Sequence, residues 1–165
     1  MRIIARRVYV KGKKTHAKDE SFDQDNVAEE KERYQVSIEL VSLKTLKDYD
    51  ILGRVGEFYF KVDGGKTFKS RFPDRGVIKL QKNQTFTTRA DMSIWSQFKT
   101  VRKGEETVLN IEVILREKDP MKKDETIAKQ EFEIKLPQKT DYVILQDEDE
   151  ETKAKLRIQS TRTRY

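Results

Sequence analysis

Side chains able to do chemistry are sparse in this chain. Its single histidine, His16, lies in a polar stretch between Lys14 and Lys18, and there is no cysteine. Nucleophilic catalysis needs a nucleophile beside a base of near-neutral pKa, and a lone histidine among lysines reads as a solvated side chain. Gly64-Gly65-Lys66-Thr67 has the ending of a phosphate-binding loop. The first glycine of that pattern would fall on Tyr59 or Phe60, however, and a strand comes next where a helix is required. Asp48-Tyr49-Asp50-Ile51-Leu52-Gly53 places glycine where an EF-hand loop has it. Leu52 then replaces an oxygen ligand, and Tyr59 stands where the bidentate glutamate belongs. Without cysteine, a disulfide framework and a thiolate metal site are both excluded. These residues point to binding, not catalysis.

The elements that would position them obey a period of two. Tyr34, Val36, Ile38 and Leu40 alternate with Gln35, Ser37 and Glu39. Phe58, Phe60 and Val62 alternate with Glu57, Tyr59 and Lys61; Leu109, Ile111, Val113 and Leu115 do the same, as do Ala128, Phe132, Ile134 and Leu136. Each run is a strand with one dry and one wet face. Shorter strand candidates are 3–10, 67–72, 77–80, 85–89, 142–145 and 154–159, separated by turn signals such as Asp63-Gly64-Gly65 and Pro73-Asp74-Arg75-Gly76. Short helices are expected at 27–33, capped by Asp25, and at 91–98. Neither has an apolar stripe able to build a core. The expected fold class is all-β, an antiparallel β-sandwich of about eight strands.

Composition sets the outer bounds. The chain has 165 residues, of which 39% are charged and 35% hydrophobic, with a net charge of +6. That length suits one domain over 1–165. A Glu- and Lys-rich surface without cysteine is a pattern of proteins from hot environments, so thermostability is expected. Arg6 and Arg7 interrupt any signal-peptide core, and no apolar run reaches the ~20 residues of a membrane span. A soluble cytoplasmic protein is the expectation. Charge is segregated: 17–32 reads as an acidic loop, 147–151 is an unbroken acidic run, and 153–165 reads as a basic strand and tail.

The stretch 109–136 carries the strongest motif. Leu109-Asn110-Ile111-Glu112-Val113 runs into a loop holding Glu117, Asp119 and Glu125, and then Ile127-Ala128. This resembles the late part of a C2 domain, in which a strand L-x-I-x-V enters a loop of the form D-x-D-x-x-x-x-x-D-x-I-G. The stretch 43–62 is similar to that family's first calcium loop and next strand, with Glu57 on its second Asp, Tyr59 on its Tyr and Asp50 nearest its first Asp. The resemblance implies metal candidates Asp50, Glu57, Glu117, Asp119 and Glu125, with calcium as the cofactor. It implies weak calcium binding or none, since two of the three late acids are Glu, which moves each carboxylate outward by a methylene. Lys44, Lys47, Lys118, Lys122 and Lys123 further offset the acids. Lys66-Thr67-Phe68-Lys69-Ser70-Arg71 resembles the basic strand that some members lay on anionic head groups, making Lys61, Lys66, Lys69 and Arg71 the anion- and lipid-binding candidates.

The resemblance therefore implies a non-catalytic interaction module, docking peripherally on an anionic phospholipid membrane or on a protein partner. Two other readings stay open. In one, the chain is an assembly subunit of a homo-oligomer, with the termini 1–11 or 157–165 exchanged between copies. In the other, it is a nucleic-acid-binding β domain: Tyr9, Tyr59, Phe68 and Arg71 stack bases, and Lys153, Lys155 and Arg157 share one strand face. The near balance of 29 acids against 35 bases weighs against the last unless the charges are strongly segregated.

Overall fold

The computed structural model describes residues 30–49, 55–65 and 69–164, with backbone alone at 89–91. Among them there are nine strands and no helix. They are β1 Lys31–Thr45, β2 Gly56–Asp63, β3 Lys69–Phe72, β4 Ile78–Leu80, β5 Thr85–Arg102, β6 Thr107–Glu117, β7 Glu125–Leu136, β8 Asp141–Gln146 and β9 Thr152–Thr163. One sheet has the order β5-β1-β9-β8; the other has β3-β2-β6-β7, with β4 also paired to β2. All pairings are antiparallel. The result is the β-sandwich that the alternating pattern calls for. The strand candidate 3–10 lies outside the described residues.

The core lies between the sheets. Val36, Ile38, Leu40, Leu156 and Ile158 from the first sheet meet Phe58, Phe60, Val113, Leu115 and Ile134 from the second, and all are at most 5% exposed. Burying such side chains contributes about 1.5–3 kcal/mol each, which drives the two sheets together. Alternation is broken where a bulge intervenes. The register of β1 shifts between Leu40 and Ser42, so Leu43 and Thr45 turn inward three and five residues after Leu40.

Another bulge corrects the helix expected at 91–98. The register of β1 against β5 shifts between Ile38 and Glu39, leaving Ile94 as the extra residue beside Trp95. Both are buried, at 2% and 4% exposure. Two adjacent apolar residues mimic a helical stripe, yet this segment is the middle of the long strand β5, held by pairing along nearly all of β1. The helix expected at 27–33 fails at its described end, because Lys31, Glu32 and Arg33 already belong to β1. The acidic segment 17–32 is likewise strand at residues 31–32.

The basic C-terminal stretch lies inside the first sheet: β9 is between β1 and β8, paired on both sides over residues 153–158. Its ladder groups there are already used, which removes 157–158 from any strand exchange. On its outer side, Arg157 donates through Nε and Nη2 to Glu39, with the Nε bond at 2.7 Å. Gln159 Nε2 donates to the same carboxylate at 2.8 Å and Ser37 Oγ at 3.3 Å. Glu39 is thereby buried on what is nominally the wet face, at 6% exposure.

Candidate functional site

The described parts of loops 46–55, 81–84, 118–124 and 147–151 meet at one end of the sandwich. Backbone bonds tie this end together: Leu46 N–H donates to Glu151 O at 2.7 Å, Asn83 N–H to Thr45 O at 2.8 Å and Lys118 N–H to Glu57 O at 2.7 Å. Tyr49 anchors it. Its ring meets Phe58 edge-on at 5.1 Å and its hydroxyl bonds the Thr152 hydroxyl, which also pairs with Thr45 at 3.2 Å. Gly56 makes room for this packing, since a Cβ there would lie 2.9 Å from the Phe58 ring. Burial pushes the Tyr49 hydroxyl up to about 12; the Thr152 bond opposes the shift, and Asp147, Glu125 and Glu151 add to it.

Of the expected metal candidates, Glu57, Glu117, Asp119 and Glu125 all lie at this end. Asp50 falls outside the described residues. Glu117 and Glu125 face each other across the β6–β7 ladder. Burial pushes the Glu117 carboxyl above its ordinary 4.5; a backbone bond from Glu57 opposes this, and the charges of Asp119, Glu125 and Glu57 add to it. These acids therefore sense one another, but two of them also have local work. Glu57 pairs with Lys79 at 3.1 Å, and Asp119 Oδ1 accepts the backbone N–H groups of Met121 and Lys122 at 2.7 and 3.0 Å. Another acid, Asp124, accepts the Tyr59 hydroxyl at 2.5 Å, which holds its carboxyl below the usual range. Calcium needs six to eight oxygens. Among the described residues, no three acids converge closely enough to hold a metal ion.

The anion-binding candidates lie on the outer face of the second sheet, where Lys61 is registered against Arg71 and Asp63 against Lys69. Lys66 is outside the described residues. The centre of this face is Tyr59, only 3% exposed although it points away from the core. The Arg71 guanidinium covers its ring at 4.4 Å and Lys61 Nζ stands 6.0 Å from the same ring. Arg116 completes the group, donating to the Asp124 backbone carbonyl. Sequence reading missed Arg116, whose contribution depends on β6 lying beside β2. A signal was present: an aromatic at an outward position of β2 needs cover, and only neighbouring strands can supply it. The candidates are not equally available. Lys69 pairs with Asp63 at 3.2 Å, and Arg71 also donates to the carbonyls of Pro73 and Gly76.

Among the described residues, no helix is long and apolar enough to cross a membrane. No family model matches the sequence, and no curated protein matches it. Solved structures do share the fold. A C2 domain of plant Extended Synaptotagmin 1 matches with a TM-score of 0.50 and 12% identity, over 79% of this chain and 96% of that one. Human GIVD cytosolic phospholipase A2, bound to methyl gamma-linolenyl fluorophosphonate, matches with a TM-score of 0.51 and 12% identity over 81% of this chain. The chain spans 18% of the length of that phospholipase chain. At this identity the likeness establishes the fold, a C2-like sandwich.

Proposed function

We propose that this C2-like sandwich is a non-catalytic module that docks on anionic phospholipid through the outer face of β2 and β3. The observation that carries the reading is the gathering of Lys61, Arg71 and Arg116 around the covered ring of Tyr59. Each cation near an anionic leaflet contributes about 1 kcal/mol, and the effect fades within a Debye length. Lys61 and Arg71 thus supply about 2 kcal/mol, while Lys69 adds less because Asp63 already neutralises it. Docking of this kind is peripheral and suits the cytoplasmic leaflet, which carries the anionic lipids.

The test is co-sedimentation with phosphatidylserine-containing vesicles across a salt series, with calcium and with chelator. The expected result is pelleting that falls steeply with salt, is the same in both arms, and drops on Lys61→Glu. Pelleting that requires calcium and vanishes in Asp119→Ala would replace this reading with a metal-dependent one. No pelleting at low salt would overturn it and leave a protein partner as the target.

A further inference from the structure

The outer face of the first sheet also carries cations, some of them without an acid beside them. On the second sheet, cations are interleaved with acids and paired: Lys69 with Asp63, Lys79 with Glu57 and Lys129 with Glu112. On the first sheet, β9 presents Lys153, Lys155 and Arg157 outward, because Ala154, Leu156 and Ile158 take the inward positions. Lys44 and Arg33 lie on the same face of β1, registered against Lys153 and Thr163. Its central acid, Glu39, is buried and neutralised by Arg157. Among the described residues, Arg33, Lys44 and Lys155 have no carboxylate partner. Lys153 pairs with Glu150 at 2.8 Å, so the cations this face leaves without an acid beside them are, among the described residues, Arg33, Lys44 and Lys155.

Two rings stand in this cationic field. Phe98 on β5 is 50% exposed, with the Arg33 guanidinium 4.2 Å over it. Tyr142 on β8 is 53% exposed, with Lys155 Nζ 4.9 Å from its ring. Small polar side chains, Ser96, Gln35 and Thr161 among them, fill the surface between. Near the start of β1, Arg33 also lines an open cleft of about 540 Å³ with Lys31, Arg164, and Arg162 paired to Glu32 at 2.9 Å. Cations at Lys44, Lys155 and Arg33 thus stand along β1 and β9, between ion pairs at Lys153, Arg157 and Arg162.

We infer that this face binds single-stranded nucleic acid, with phosphates tracking the β1–β9 cations and bases stacking on Phe98 and Tyr142. The charge complementarity is to a polyanion, and the exposed rings and the Arg33 guanidinium supply the planar surfaces that unpaired bases need. A bilayer fits less well. Membrane insertion needs apolar groups that reach beyond the cations, whereas here the cations lie over the rings. A duplex fits less well too, because a flat sheet face carries no helix or ribbon to enter a groove. A second copy of the chain would set like charge against like.

The test is fluorescence anisotropy of a labelled single-stranded 12-mer titrated with the full chain at several salt concentrations. Phosphate contacts from Arg33, Lys44 and Lys155 give a slope of log K against log salt of about −2. Tyr142→Ala and Phe98→Ala, both at exposed positions, each weaken binding about tenfold. Lys44→Glu with Lys155→Glu abolishes it, while Lys61→Glu on the opposite sheet leaves it unchanged, which separates this inference from the lipid reading. Absence of saturable binding at 50 mM salt overturns the inference. So does equal affinity for a duplex, or Tyr142→Ala and Lys155→Glu variants that lose vesicle pelleting in place of oligonucleotide binding. Circular dichroism of each variant confirms that the sandwich is intact.

Discussion

Removing the Arg157 guanidinium tests the buried charge that organises the outer side of the first sheet. Glu39 and Arg157 are cross-strand neighbours on β1 and β9, and their side chains are 7% and 29% exposed. Arg157→Met keeps most of the stem and its packing but leaves the Glu39 carboxylate, among the described residues, with the neutral donors Gln159 and Ser37. Breaking a buried pair by deleting one partner costs about 3–5 kcal/mol. The Arg157 side chain is partly exposed, so water reaches the vacated space and the expected loss is about 3 kcal/mol, at the lower end of that range. For a chain of this size, that lowers Tm by about 6–12 °C. The assay is urea unfolding monitored by the fluorescence of Trp95, the single tryptophan, which is buried at 4% exposure. Glu39→Gln combined with Arg157→Met recovers part of the loss, giving a coupling energy of about 1.5–2 kcal/mol. A loss below about 1 kcal/mol for Arg157→Met, or strict additivity in the double variant, would refute the assignment of Glu39 as a buried charge that depends on Arg157.

The packing and the pKa directions set three further outcomes. Glu117 has a folded pKa raised above 4.5, so its contribution to stability is present below about 4.5 and lost as pH rises through the folded value. Glu117→Gln therefore raises the urea midpoint at pH 7 and not at pH 4; a gap that is independent of pH would contradict this. Phe60→Ala empties a fully buried site and costs about 3–5 kcal/mol in the same urea assay, and a loss under 1 kcal/mol would place Phe60 outside the core. Because the Tyr49 hydroxyl is pushed up to about 12, Tyr49→Phe leaves the tyrosinate absorbance developed by about pH 11 unchanged; a drop in that amplitude would mean Tyr49 titrates normally.

Strand identity was legible along most of the chain because period two is a local property. The runs through Val36, Phe60, Val113 and Ile134 place alternate residues on one face whatever they pair with, and those residues form the core. The C2-like architecture was legible through the same runs and the loop motif between β6 and β7. Bulges obscured the rest of the strand pattern. The extra residue at Ile94 made the middle of β5 read as helix, and only pairing with β1 shows it to be strand. The tertiary structure alone decided how charge is spent. It brings Glu57, Glu117, Asp119 and Glu125 to one end, yet gives Glu57 to Lys79 and Asp119 to its own turn. It neutralises Lys69 with Asp63 and adds Arg116 to the Tyr59 group. It also sets β9 between two strands, so that Arg157 meets Glu39 from 118 residues away. Sequence records which residues carry charge; whether a charge faces solvent, a partner or the core depends on strands distant in the chain, and the local pattern holds no information about that pairing.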